Sequence, residues 1–493
     1  MWRKKYYLLV GLLSVVLVIR LFIAFQSSTF AYGGYAMLRQ VTYILTYFFP
    51  LYQDPLSYGG RQLVFSPLFP YILALFGSIF PIWWVAKVVP NVLAVVTSLF
   101  VFLILRRLTR HEGVALFSAF VTGLFPLFLT ATVSTLSPHT LALPFLLACI
   151  YCYFLVCDNV AHLPVLLVLI AVFPFVHLSA LFLIGGLFFY WIISIVQGLA
   201  PRKIEREVIL FDTIYTLWLL FLLYKKAFLV HGLALIWQNI PSAVLNAYFE
   251  PISVISSFAS IGILPIIFGT YIVYKYTFTK GEWEWYVIIG FVLFFFMLLS
   301  FKLLEPIVGS LYLGIFLFIL SGKYFCLALD YIEKTKLADY KRVSVMLFCM
   351  LFVISLFAFP KENNHPSQEL VDALGWLGEY SQPQETVLGT VEEGDIITAV
   401  AVRKNVWDSQ FLLIPAIEQR ANDITQLFQT ASEITAVTLL SKYGVNYILF
   451  SPNAQKQYSL SELVYTTDEN CFTKIYEKND VRIYKVLCTV KAL

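Results

Sequence analysis

Runs of about 20 apolar residues recur from the N-terminus to Pro360, so lipid rather than water is the solvent for most of this chain. A backbone in hydrocarbon must satisfy its own hydrogen bonds, and runs of this length do so as helices. The 493 residues are 60% hydrophobic and 13% charged, against about 25% charged in ordinary soluble domains. A soluble globular enzyme, a disordered chain and a collagen-like repeat are excluded. Seven cysteines in a chain this long also exclude a disulfide scaffold.

The charge divides at Pro360. Beyond it lie 11 Lys/Arg against 17 Asp/Glu, leaving 23 against 13 before it. The sequence therefore predicts a basic helical membrane domain over 1–360 and a water-soluble, mildly acidic domain over 361–493. The basic excess is explained by loop topology and gives no reason to expect a nucleic-acid partner.

About eleven spans are expected, near 1–25, 82–105, 113–132, 139–157, 163–176, 179–198, 207–224, 252–274, 284–302, 306–325 and 342–360. The first begins Trp-Arg-Lys-Lys and reads as a signal anchor with a cytoplasmic N-terminus. In this register the inside loops hold 15 Lys/Arg, including Arg106, Arg107 and Arg110, and the short outside loops hold five. That bias has the sense of the positive-inside rule, and an odd span count places the C-terminal domain outside the cytoplasm. The piece from Ser66 to Pro81 is too short and too rich in proline to span, so the outer loop 26–81 is expected to carry interface helices. A loop that long is normally functional.

The C-terminal domain mixes element types. Ser367–Tyr380 has helical spacing, as do the stretches near 416–429 and 432–442, while 387–389, 396–402, 447–450, 472–476 and 481–486 are rich in β-formers. Asn479-Asp480 makes a two-residue turn whose pairing sets Cys471 opposite Cys488, a disulfide candidate in an oxidising compartment. The other five cysteines lie in or beside spans and read as packing residues.

Ionisable groups next to spans are costly, so their position is informative. The topology collects Arg39, Asp54, Arg61, His139, His177, Lys225, Lys226, His231, Glu250, Lys302 and Glu305 on the outer face. Such a surface suits a substrate with an anionic phosphate and an apolar tail: carboxylates serve as base or metal ligand, and cations neutralise phosphate. Each of these residues is also compatible with a solvated interface loop. Asp54 before Pro55 has, besides, the chemistry of a turn initiator. The histidine spacing matches no zinc motif.

The order of motifs resembles the C-type superfamily of integral-membrane glycosyltransferases, which includes the oligosaccharyltransferase catalytic subunits. The resemblance is carried by Asp54-Pro55-Leu56-Ser57-Tyr58-Gly59-Gly60-Arg61 with Ser66-Pro67-Leu68-Phe69-Pro70-Tyr71, by Glu392-Glu393-Gly394, by Arg403-Lys404-Asn405-Val406-Trp407-Asp408, and by Lys442–Phe450. It implies a polyprenyl-phosphate-linked sugar donor, membrane lipid as a partner, and inverting transfer to an acceptor at the outer face. The sequence departs from that pattern where chemistry is expected. Gly34 stands where the family places an acid, and the second outer loop, Ser134 to Thr140, offers His139 and no carboxylate. Val391-Glu392-Glu393-Gly394-Asp395 replaces the Trp-Trp-Asp-Tyr-Gly acceptor motif. Mg²⁺ or Mn²⁺ assistance, with Asp54 as ligand, and a metal-independent mechanism both stay open.

Three functions follow: a glycosyltransferase, a catalytically inactive binder of lipid-linked glycans or scaffold, and a lipid or glycolipid transporter. For the first, Asp54 and Glu305 are the candidate catalytic carboxylates. Arg61, Lys225 and Lys226 are candidates for the donor phosphate, His139 and Glu305 for the opposite cavity wall, Glu393 and Asp408 for the acceptor, and Arg39, His177 and Glu250 are further substrate-binding candidates.

Overall fold

The computed structural model describes residues 2–199, 201–232, 235, 240–335, 341–356 and 365–490. The expected domain boundary at Pro360, the end of the last expected span and Lys336 lie outside these residues.

The first half is helical. It runs α1 (Trp2–Gln26), α2 (Tyr32–Tyr47), α3 (Leu68–Gly77), α4 (Ile82–Thr109), α5 (Glu112–Leu124), α6 (Pro126–Thr132), α7 (His139–Asp158), α8 (Leu163–Val176), α9 (Ala180–Val196) and α10 (Lys203–His231). A small ribbon, β1 (Gln53–Asp54) against β2 (Arg61–Gln62), sits in the long loop between α2 and α3. Then come α11 (Ser242–Tyr248), α12 (Pro251–Ala259), α13 (Ile263–Phe278), α14 (Trp283–Ser300), α15 (Pro306–Lys334) and α16 (Lys341–Leu356).

Among the described residues six helices are long and apolar enough to cross a membrane, and eight if the bent pairs α5–α6 and α11/α12–α13 each count as one. Four shorter apolar helices accompany them, α3 and α9 among them. Pro126 at the first position of α6 explains the 50° bend from α5, because Pro donates no backbone N–H and starts a helix more readily than it continues one.

Two cations are buried in the bundle. Arg20 of α1 donates to Asn91 Oδ1 (3.1 Å), to the Gly123 carbonyl (2.8 Å) and to Thr132 Oγ1. Lys87 of α4 donates to the carbonyls of Ala24 (2.6 Å) and Ser27, with Trp83 below its ammonium. Asn91 joins the two by donating to the Lys87 carbonyl. In an apolar interior each such donor needs an acceptor, so this network fixes where α1 meets α4 and where α5 ends.

The second part is an α/β unit: α17 (Gln368–Tyr380), β3 (Thr386–Leu388), α18 (Val391–Ile396), β4 (Lys404–Asn405), α19 (Ile417–Gln429), α20 (Glu433–Lys442), β5 (Val445–Phe450), α21 (Pro452–Tyr458), β6 (Phe472–Lys478) and β7 (Val481–Val486). Strand order is β4-β3-β5-β7-β6, parallel about β3 and antiparallel from β5 onward. Asn479 and Asp480 both take positive φ in the β6–β7 turn, and Cys471 and Cys488 form a disulfide.

One segment differs from its β-like composition. Residues 396–402 are not a strand: α18 runs into a π-helical turn over 397–401. Thr390 and Glu393 form a reciprocal capping box that starts a helix at Val391. The apolar side chains of Ile396, Ile397 and Ala401 are then buried in the contact with α2 and α17. Tertiary burial and the cap override β-propensity here.

Candidate functional site

The long loop between α2 and α3 is built around Asp54. Its carboxylate takes two hydrogen bonds from the Arg39 guanidinium and two more from the backbone N–H groups of Leu56 (2.8 Å) and Ser57 (3.1 Å). This is an Asx turn closed by a buried ion pair, with Asp54 only 4% exposed. Both oxygens thus face donors within the protein.

The turn presents the next residues to the α/β unit. Ser57 donates to Asp408 Oδ2 (2.6 Å), Tyr58 N–H to Asn405 Oδ1 (2.6 Å) and the Tyr58 hydroxyl to the Asp408 carbonyl (2.8 Å). Asn405 N–H returns a bond to the Leu56 carbonyl (3.1 Å). Arg61 donates to the carbonyls of Gln410 and Leu412 and lies 3.6 Å from Asp408. The Tyr58 ring is held between the guanidinium groups of Arg61 and Arg420, at 5.1 and 5.2 Å. Two motifs some 350 positions apart in the chain therefore form one docking joint.

Arg61 and Asp408 are occupied by this joint, and burial holds the Arg61 pKa below its ordinary value. His231, at the end of α10, joins the same face by accepting from Leu413 N–H (3.0 Å). Lys226 donates to Gln62 on the ribbon, and Lys225 beside it is exposed.

The two histidines of the candidate cavity pair with each other. The rings of His139 and His177 lie 4.5 Å apart, His139 Nδ1 is 3.1 Å from the Tyr312 hydroxyl, and His177 Nδ1 accepts from Ser179 N–H.

The position occupied by Gly34 is closed to any side chain. Gly34 lies in the first turn of α2 beneath the connection between α6 and α7, and a Cβ there stands 2.9 Å from the Thr135 carbonyl oxygen and 3.3 Å from Phe30. The expected cost of Gly34→Asp is about 1–3 kcal/mol of stability, from overpacking, and a thermal unfolding scan beside wild type measures it. Unchanged stability contradicts the tight approach.

Three acids of the α/β unit are deeply buried. Glu393 accepts from Thr390 N–H (2.9 Å) and from the Ser451 hydroxyl, and burial pushes its pKa up to about 7. Asp395 accepts from Ser409 (2.6 Å), and its pKa is raised by burial and then by Asp408. A carboxyl whose pKa is raised on folding binds its proton more tightly in the native state, so stability falls as pH climbs from the ordinary 4.5 through about 7. The slope approaches about 1.4 kcal/mol per pH unit. Glu393→Gln keeps an acceptor and is expected to flatten that part of the stability profile; denaturant midpoints measured across this range test it.

Two further acids sit where the α/β unit meets the bundle. Glu392 on α18 and Glu305, the N-cap of α15, are half-buried, and both lie within electrostatic reach of the Tyr248 hydroxyl on α11, as does Asp395. Glu250, at the start of α12, is exposed. The Lys302 ammonium stands 5.4 Å over the ring of Phe249, which follows Tyr248. Glu392 and Tyr248 were outside the residues the sequence singled out for chemistry. Only the position of Glu392 in the segment replacing the acceptor motif pointed to it.

Among the described residues the only three His, Cys, Asp or Glu groups with ligand atoms within 4.8 Å of one another are Glu433, Asp468 and Cys471. Cys471 is in the disulfide and its sulfur is no thiolate ligand. Asp54 is surrounded by donors and Gly34 is closed to an acid, so neither position offers a carboxylate oxygen to a divalent metal in this arrangement.

No protein-family model and no curated protein matches the sequence. Solved structures do. The oligosaccharyltransferase of Archaeoglobus fulgidus in its apo form superposes with a TM-score of 0.66 at 14% identity, over 99% of this chain and 75% of that one. ArnT from Cupriavidus metallidurans, bound to undecaprenyl phosphate, gives 0.56 at 10% identity, over 96% of this chain and 97% of that one. The arabinofuranosyltransferase AftD from Mycobacteria gives 0.52 at 16% identity, over 97% of this chain and 40% of that one. With the helices, the loop between α2 and α3 and the α/β unit all inside the matched range, the chain has the fold of the C-type membrane glycosyltransferases.

Proposed function

We propose that this protein is a membrane glycosyltransferase that takes a sugar or glycan from a polyprenyl-phosphate-linked donor, without a metal. The observation that carries the reading is the whole-length likeness to ArnT bound to undecaprenyl phosphate; an archaeal relative in fold is described in complex with dolichol-phosphate. The bundle 1–360 crosses the membrane about eleven times, with the short apolar helices completing spans, and the unit 361–493 lies outside the cytoplasm.

Glu305 is the base. It accepts the proton of the acceptor nucleophile as that atom attacks the anomeric carbon, the bond from carbon to phosphate oxygen breaks on the opposite face, and the polyprenyl phosphate leaves with the bonding pair. Glu392 and Tyr248 position the acceptor, and Lys302 meets the departing phosphate. Asp54, Arg39 and Arg61 dock the outer loop on the α/β unit and stay out of the chemistry.

Labelled sugar released from extracted polyprenyl-phosphate lipids by the purified protein in lipid, with chelator or with Mg²⁺ or Mn²⁺, tests this. Equal transfer in all three is expected, and loss on chelation overturns the metal-free mechanism. A second reading, a glycan-lipid binder without catalysis, is favoured by the closed Gly34 position; donor binding with no transfer under any condition selects it.

A further inference from the structure

Well along α15 from Glu305, three lysines line one open cavity. Eighteen residues at 1.5 Å each place Lys323 about 27 Å along the helix from Glu305, so this cavity is separate from the site above. It has a volume of about 390 Å³ and is lined by Lys275 from the last turn of α13, Lys280 and Glu282 from the connection to α14, and Lys323 from α15. Three lysines and one carboxylate thus share its lining, and among the described residues none of the three lysines is seen in an ion pair.

The cavity is built rather than incidental. Lys323 is half-buried, its ammonium 5.3 Å over the Trp285 ring. The connection is pinned: Gly281 N–H donates to the Tyr286 hydroxyl (3.0 Å), and Gly281 is pressed so close to Tyr276 that a Cβ there falls 1.9 Å from the ring. Only glycine lets the loop lie flat over Tyr276 and hold Lys280 beside Lys275. Like charges held together in this way repel one another until an anion joins them.

The outer wall identifies the anion's source. One residue before Lys275 stands Tyr274, 63% exposed, its ring 5.0 Å from that of Phe278, which is 74% exposed. Exposed aromatics beside lysines at the end of an apolar helix mark the interface between acyl chains and headgroups. We propose that this cavity binds the phosphate of an anionic phospholipid, with the lipid's acyl chains lying along Tyr274 and Phe278.

The test uses the full chain in nanodiscs of phosphatidylcholine with and without phosphatidylglycerol, scoring retained lipid by native mass spectrometry. Wild type is expected to retain phosphatidylglycerol, and the triple variant Lys275→Gln/Lys280→Gln/Lys323→Gln to retain at least about tenfold less, since a lysine near anionic lipid contributes about fivefold. The triple arginine variant, which keeps the charge, is expected to retain it and controls for misfolding. Equal retention by wild type and the glutamine variant overturns the proposal. Displacement of the lipid by millimolar inorganic phosphate also overturns it, assigning the cavity to a free anion.

Discussion

Glu305→Gln is expected to lower sugar transfer by about 10²–10⁴-fold, the range a positioned general base contributes, while donor binding persists. The glutamine has the same shape and keeps an acceptor oxygen at the N-cap of α15, where the backbone bond from Gly309 N–H to the residue 305 carbonyl is unaffected. What it loses is the capacity to take a proton. Single-turnover transfer from a labelled polyprenyl-phosphate donor, run beside a donor-binding measurement, separates the two steps. Glu392→Gln is expected to raise KM for the acceptor more than it lowers kcat, because that residue positions the acceptor. Full activity in Glu305→Gln removes the residue from the chemistry.

Asp54→Ala is expected to act through stability. It leaves the Arg39 guanidinium, whose side chain is 14% exposed, without its carboxylate, and it strips the acceptor from the N–H groups of Leu56 and Ser57. Breaking a buried pair from one side costs about 3–5 kcal/mol. The loss propagates, because Ser57, Tyr58 and Arg61 reach the α/β unit only from the conformation this turn imposes. Thermal unfolding and limited proteolysis of the loop between α2 and α3 measure it. Asp54→Asn keeps one acceptor oxygen for the turn and is expected to fall between. A variant of Asp54 that unfolds like wild type, binds donor and fails to transfer sugar restores this residue to the catalytic role its sequence context suggests.

Much of the architecture was legible because hydrophobic length and helical period are local properties. Ser367 is the N-cap of α17, its hydroxyl accepting from Leu370 N–H at the start of the stretch whose spacing predicts a helix. The Asn479-Asp480 turn sets the β6–β7 register that brings Cys471 and Cys488 together. Residues 396–402 misled because their β-branched composition is local, whereas the contact with α2 that buries them is not. The site was harder to read for the same reason. Asp54, Arg61 and Asp408 have the residue types of a phosphate and metal site, and nothing in the chain order shows that Asp54 pairs with Arg39 and Arg61 with Asp408. Arg20, Lys87 and Asn91 lie inside apolar runs, where a hydropathy window averages them away although they form one buried hydrogen-bonded network between α1 and α4.

The reaction centre itself is located most directly by determining the structure of the full chain in lipid with polyprenyl phosphate bound. The expected result is a phosphate beside Lys302, with Glu305, Glu392 and Tyr248 around the space next to it and the Arg39–Asp54 pair intact. A phosphate seated on Asp54 or Arg61, with the docking joint opened, contradicts this assignment of the site.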